Sequence, residues 1–175
     1  MRTFAELATA ASQLVAAPRD AGRLQLIVRR LPDGRRETPS SVVLTADEGV
    51  PGDDWTRRPP RDPEAQLAVM RRDVAELIAC GQPLSVFGDN LFVDLDIAAA
   101  NLPTGTQLRV GMARVEVTPK PHNGCAKFRS RFGPDALRWV QDPPTRTQNY
   151  RGIYWRVIAA GEARIGDAVE VLLRG

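Results

Sequence analysis

The sequence has few of the residues that most often carry metal, disulfide or redox chemistry. Its 175 residues include one histidine, His122, and two cysteines, Cys80 and Cys125. Two cysteines do not form a disulfide framework in a chain of this length, so we expect a reducing, cytoplasmic setting. One histidine and two cysteines would also leave a structural zinc site one ligand short.

Long hydrophobic runs and one-sided charge are also lacking. No apolar run approaches the roughly 20 residues that cross a bilayer, so we expect no membrane partner. The 24 basic residues nearly balance the 21 acidic ones, and only Lys120 and Lys127 are lysines. The arginines are scattered among acids, a pattern typical of a solvated surface rather than of a nucleic-acid groove. Arginine is nevertheless the better bidentate partner for a small anionic ligand.

What is present indicates a mostly β fold with a few helices. Period-two alternation and clusters of branched residues predict seven or eight short strands separated by glycine-rich corners, which favours a small closed barrel. The segments are 24–28, 39–45, 65–70, 91–93, 108–110, 114–118, 154–159 and 169–173. We expect the first two to form a hairpin around the Leu31–Gly34 turn, and the proline-rich span 47–63 to be a long functional loop.

Helical spacing of apolar residues predicts two or three helices. One stripe, formed by Phe4, Leu7, Ala11, Leu14 and Val15, indicates an N-terminal helix packed on the body of the protein. A second helix is expected over 71–80, ending at Gly81, and a third near 135–140. The predicted organisation is a helical segment, 1–20, followed by a single barrel domain, 21–175.

The most unusual segment is Thr118–Gly133, with the sequence TPKPHNGCAKFRSRFG. It follows a strand and begins with two prolines, so we expect an ordered loop rather than a helix. Cys125 lies between Gly124 and Ala126, whose small side chains leave the sulfur accessible. Nearby cationic residues favour the thiolate, which can be a nucleophile, a redox group or a soft metal ligand.

Simpler interpretations remain open for these residues. Cys80, at the end of a helix, is expected to be a small packed hydrophobe. Cys125 could equally be buried and inert, and His122 could be a surface residue in a proline-rich turn. A Cys/His enzyme would also need a third, orienting group, and the sequence does not identify one.

Several segments, in order, resemble the MOSC domain, which occurs at the C-terminus of molybdenum cofactor sulfurases and as small free-standing bacterial proteins. Cys125 stands at the position of the family's signature cysteine. The other similar segments are Gly49–Asp53 (GVPGD), 66–70 with the helix after it, Gly88–Leu91 (GDNL), Leu108–Gly111 (LRVG), Gly152–Tyr154 (GIY), 157–161 and Arg164–Val169 (RIGDAV). Asp89 departs from the family, which usually has glutamate there.

The resemblance implies a closed β-barrel of the pyruvate-kinase-barrel-like type, with a pocket beside the cysteine. It implies molybdenum cofactor (molybdopterin) in that pocket and Cys125 as both metal ligand and catalytic residue. Asn90 would lie near the polar end of the cofactor, and Asp53 would orient the pterin or backbone amides. His122 is a further candidate for cofactor binding, while Lys127 and Arg129 would counter the phosphate. Pyridoxal phosphate binding is also associated with the family.

The first functional hypothesis is a molybdenum-cofactor protein that reduces N-hydroxylated small molecules or carries cofactor or sulfur. No nicotinamide or flavin motif is visible, so electrons would come from a separate protein donor. The alternatives are a metal-free binding or sulfur-carrier module with the same fold, and a metal-free enzyme that uses Cys125 with His122 as base. The sequence does not indicate the oligomeric state.

Overall fold

Eleven strands and five α-helices make up the computed structural model, which describes residues 1–175. The strands are β1 (Ala21–Ile27), β2 (Arg29–Arg30), β3 (Arg36–Glu37), β4 (Ser41–Leu44), β5 (Leu67–Arg71), β6 (Leu91–Val93), β7 (Gln107–Val110), β8 (Ala113–Val117), β9 (Ile153–Ala159), β10 (Gly161–Arg164) and β11 (Ala168–Leu173). The helices are α1 (Phe4–Ala11), α2 (Arg72–Ala79), α3 (Ala126–Phe132), α4 (Pro134–Gln141) and α5 (Pro143–Thr147).

Seven of the strands close into a barrel in the order β1-β11-β7-β8-β9-β5-β6. Only β5 and β6 pair in parallel, and α2 lies on the connection between them. The other neighbours in the barrel pair antiparallel. Closure removes the exposed sheet edges that would otherwise invite aggregation. The predicted closed barrel with a few helices is therefore confirmed.

The core has two parts. Alternation along β8 buries Ala113, Val115 and Val117 inside the barrel, as the period-two pattern predicts. A second cluster lies between the barrel wall and the helices and includes Phe128 and Trp139. This second cluster fixes α3 and α4 against one side of the barrel, where the cavity described below opens.

The predicted hairpin between 24–28 and 39–45 is wrong. The turn at Leu31–Gly34 exists, but it joins only the two-residue strands β2 and β3. β4 instead pairs with β10 in a separate two-stranded sheet. Pairing with 24–28 or with β10 would satisfy the backbone hydrogen bonds of β4 equally well. A single sequence carries no signal that favours a nearby partner strand over one more than a hundred residues away.

Three further local expectations are also corrected. Residues 126–132 form helix α3 rather than a loop, because Phe128 and Phe132, one turn apart, bury against the second cluster. Cys80 is exposed, at the left-handed end of α2, and does not pack as a small hydrophobe. Helix α1 ends at Ala11, and Val15 is exposed. None of the five helices has the length and apolar character needed to cross a membrane.

Candidate functional site

A cavity of about 310 Å³ opens between the β2–β3 hairpin, the turn at 54–58 and helix α3. This volume lies at the lower end of the range for ligand pockets. Six cationic side chains and no carboxylate are among its lining residues. The cationic residues are Arg30, Arg36, Arg58, Lys127, Arg131 and Arg151. This composition indicates a site for an anionic ligand.

Asp53 lies beneath the cavity and holds Arg30 in its wall. The carboxylate is only 1% exposed. It accepts hydrogen bonds from the Arg30 backbone amide (2.6 Å), the Arg30 guanidinium (Nε, 3.0 Å) and the Trp55 amide (3.0 Å). Burial raises the pKa of Asp53, but the hydrogen bonds and charge of Arg30 outweigh it and hold the pKa below its ordinary value. Asp53 therefore positions two lining residues at once.

Asp89 plays a similar part for Arg151. Its fully buried carboxylate accepts two contacts from Nη1 of Arg151, at 3.0 and 2.9 Å. Arg151 also lies over the Phe128 ring, with its central carbon 4.9 Å from the ring centroid. The departure from glutamate at position 89 thus coincides with an ion pair whose carboxylate is fully buried.

Three of the cations, Arg36, Lys127 and Arg131, have no carboxylate within ion-pair distance. Arg131 Nη1 donates to the Phe87 carbonyl (3.0 Å), and Arg30 Nη1 donates to the adjacent Gly88 carbonyl (3.0 Å). Burial, followed by the charges of Arg131 and Arg30, lowers the pKa of Arg36. The protein therefore holds like charges together without a counterion, as expected of an anion site.

Aromatic rings form another part of the wall. The lining includes Trp55, Phe87, Phe128 and Tyr154, and the Tyr154 ring lies 4.2 Å from the His122 ring between centroids. Burial, and then the charge of Asp89, raises the pKa of Tyr154, so its hydroxyl stays protonated at neutral pH. Cations beside aromatic faces suit a ligand with both an anionic group and a planar ring.

His122 is buried rather than on the surface. Its side chain is 6% exposed, and its Nδ1 makes no hydrogen bond although an Asp89 oxygen lies 3.5 Å away. Burial, together with the charges of Arg151 and Arg30, lowers the pKa of His122 well below its ordinary value. The imidazole is therefore neutral at neutral pH.

Cys125 lies on the cavity wall and is exposed. It occupies the N-cap position of α3, in extended backbone conformation, with a small glycine before it. No hydrogen bond joins its sulfur to His122. No group of three or more histidine, cysteine or acidic side chains is placed to enclose a metal ion. The cavity therefore offers a single, accessible soft donor.

The structure brings together three of the six predicted site residues, Cys125, His122 and Lys127, on the cavity wall. Asp53 acts from beneath it. Asn90 does not line the cavity; its side chain bridges the Ala68 amide (3.2 Å) and the Val28 carbonyl (3.3 Å).

Arg129 is exposed and lies outside the lining. It occupies the last turn of α3, together with Arg131, but only Arg131 reaches the cavity.

Sequence reasoning missed most of the cations. Arg30 and Arg36 pair across the β2–β3 hairpin, but Arg58, Arg131 and Arg151 are distant from them along the chain and meet them only through the fold. One local signal was available, the glycine at position 152: in the structure its φ is 102°, and a Cβ there would lie 2.3 Å from the Val69 carbonyl oxygen. Such a glycine brings the backbone, and with it Arg151, close to the barrel.

Comparisons with solved structures place this fold among known ones. YuaD from Bacillus subtilis matches with a TM-score of 0.65 and 14% identity, over 89% of this chain and 98% of that one. YiiM from Escherichia coli matches with a TM-score of 0.59 and 21% identity, over 87% and 71%. YiiM from Geobacillus stearothermophilus matches with a TM-score of 0.52 and 16% identity, over 88% and 74%. At these identities the likeness establishes the fold.

No curated protein matches the sequence. The family model for the MOSC domain matches residues 52–170, well over half of the chain. The matched span includes the turn at 54–58, the Phe87–Gly88 carbonyls, Cys125 and Arg151, which surround the cavity. This chain belongs to the MOSC domain family.

Proposed function

We propose that the cavity binds a molybdenum cofactor, with Cys125 as the protein ligand of the metal, and that the chain serves in the reduction of N-hydroxylated compounds. The family's common association with this cofactor supports the proposal. The observation that carries it is one cavity lined by an exposed thiol and three cations without a carboxylate partner.

The residues present fit the chemistry of the group. Thiolate sulfur is a suitable donor for a soft metal centre, and Cys125 supplies it. The terminal phosphate would bind at Arg36 and Arg131, which line the cavity and have no carboxylate counterion. A planar pterin has aromatic contact available at Trp55 and Tyr154.

A bound molybdenum cofactor supplies two-electron transfer, which with two protons converts an N-hydroxyl compound to the amine and water. Tyr154, with its protonated hydroxyl, can donate a hydrogen bond to a substrate oxygen in the cavity. The arginines hold anionic groups but do not give up protons at neutral pH. Since the chain has no nicotinamide or flavin motif, the electrons would come from a separate donor protein.

The metal-free alternatives use the same sulfur. A sulfur carrier needs only the exposed thiol, which would hold persulfide. A Cys/His enzyme needs His122 as base within reach of Cys125, and no hydrogen bond joins the two in the structure. The sulfur carrier is one of the outcomes of the experiment below.

The test is the metal and pterin content of protein purified from a host that makes the cofactor. We compare the wild type with Cys125→Ser and with Cys80→Ser, which alters the other exposed cysteine outside the cavity. Serine is a favoured N-cap residue, so Cys125→Ser should preserve helix α3. Molybdenum per chain should fall at least tenfold in Cys125→Ser and stay unchanged in Cys80→Ser.

Two outcomes would contradict the proposal. Molybdenum retained in full by Cys125→Ser would remove Cys125 as the metal ligand. Wild-type protein free of molybdenum and pterin, with persulfide on Cys125 by mass spectrometry, would favour the sulfur carrier.

A further inference from the structure

A second cavity, of about 490 Å³, lies on the other side of the loop that carries His122. His122, Asn123 and Arg151 line both cavities, so this short segment is a shared wall. Most of the remaining lining comes from α5 and from residues 149–152, with Ala99, Pro121 and, from α4, Val140. Nothing in the function proposed above uses this space.

The charge of the second cavity differs from that of the first. Its lining contains no carboxylate. The charge of Arg151 is matched by Asp89, whereas Arg146 makes no ion pair and uses only one donor within the chain, from Nη2 to Asn123 Oδ1 at 3.3 Å. The first cavity has three cations without a partner, and the second has one. One uncompensated guanidinium suits a single negative charge.

The remaining groups are arranged for a small amphipathic molecule. The side-chain amide nitrogen of Asn123 and the hydroxyl of Tyr150 make no hydrogen bond within the chain, so both are free to bind a ligand. Pro143 offers an exposed apolar surface on the same lining, and Val140, which is 3% exposed, adds a small apolar area. The unpartnered Nδ1 of His122 lies beside Gly152, another lining residue.

We propose that the second cavity is a binding site for small organic monocarboxylates. The carboxylate binds Arg146 and Asn123, and the apolar body packs against Val140 and Pro143. This site does not depend on a cofactor in the first cavity, so it is tested on protein without one.

The test is a titration of isotopically labelled protein with benzoate, followed by two-dimensional ¹H–¹⁵N NMR, with benzamide as the neutral molecule of the same shape. Benzoate should shift the backbone amides of Thr147, Asn149 and Gly152 in a saturable way, and benzamide should bind at least tenfold more weakly. The indole of Trp55 reports separately on anions entering the first cavity.

Arg146→Gln should weaken benzoate binding at these amides about tenfold or more, because it removes a charge-assisted hydrogen bond. Arg35→Gln is the matched control: it removes the charge of another exposed arginine without an ion pair, outside both linings. An unchanged spectrum away from the site confirms that each variant is folded.

Equal binding of benzoate and benzamide would overturn the proposal, and so would an Arg146→Gln variant that binds as tightly as Arg35→Gln. Shifts confined to Trp55 and its neighbours, or no saturable shift at all, would also overturn it. None of these results depends on the molybdenum content of the protein, so failure here and failure of the cofactor proposal are distinguishable.

Discussion

His122 should set the pH dependence of stability between about pH 5 and pH 7. It is the only histidine, and its buried side chain has a pKa well below the ordinary value. The unfolded chain therefore takes up a proton below about pH 6.5 that the folded chain does not. This contribution to stability is fully present above that pH. It is lost as the pH falls toward the lower pKa of the folded protein.

The size of this pH effect follows from the uptake of one proton by the unfolded chain. The free energy of unfolding should fall by about 1.4 kcal/mol per pH unit, which amounts to about 2 kcal/mol at pH 5 relative to pH 8. We would measure urea unfolding by tryptophan fluorescence across this range for the wild type and His122→Gln. The wild type should lose this amount, while the variant should change little.

Equal pH slopes for wild type and His122→Gln would refute the reasoning. That result would mean that the folded protein takes up the proton at the same pH as the unfolded chain, with Asp89, 3.5 Å from Nδ1, offsetting the effect of burial. A lower overall stability of the variant would not affect the comparison, because the slope and not the absolute value is the readout.

Two substitutions test how the cavity walls are built. Asp53→Asn leaves the largely buried Arg30 without its counterion and should lower the free energy of unfolding by about 3 kcal/mol. The exposed-pair control Glu76→Gln should lower it by less than about 1 kcal/mol, and similar small losses for both would contradict the positioning role of Asp53. Gly152→Ala places a Cβ 2.3 Å from the Val69 carbonyl oxygen and should cost at least about 2 kcal/mol. Gly34→Ala shares the positive φ but meets no atom within 4 Å, so a loss as large as that of Gly152→Ala would show that the contact is unimportant.

Individual elements could be predicted from the sequence where one face is buried. The alternation along β8 and the apolar face of α2 both reflect burial on one side only. Partners could not be predicted, since β4 pairs with β10 across a long separation. Helix α3 was missed because the two prolines before it suggested a loop, although Phe128 and Phe132 have helical spacing.

The candidate site was predictable only in its local part. Cys125, His122 and Lys127 lie within six residues of one another, so a single segment brings them to one place. Arg36 reaches the cavity from the β2–β3 hairpin, and Arg151 reaches it from the turn before β9. No local sequence pattern links those two positions. Asn90 was predicted to bind the cofactor because its motif lies near the site. Its side chain instead makes hydrogen bonds to the backbone of Ala68 and Val28.

Much of the wall of the first cavity comes from segments that are not paired into the barrel, although Ala68 of β5 and Tyr154 of β9 are. The β2–β3 hairpin pairs only with itself, and the 54–58 turn and Phe87–Gly88 lie between strands. Local segments of this kind open at lower free energy than a strand ladder. A multiply charged ligand that contacts several of these segments would therefore stabilise their closed arrangement by mass action. Ligand binding would then reduce local opening at this end of the molecule and leave the stability of the barrel strands unchanged.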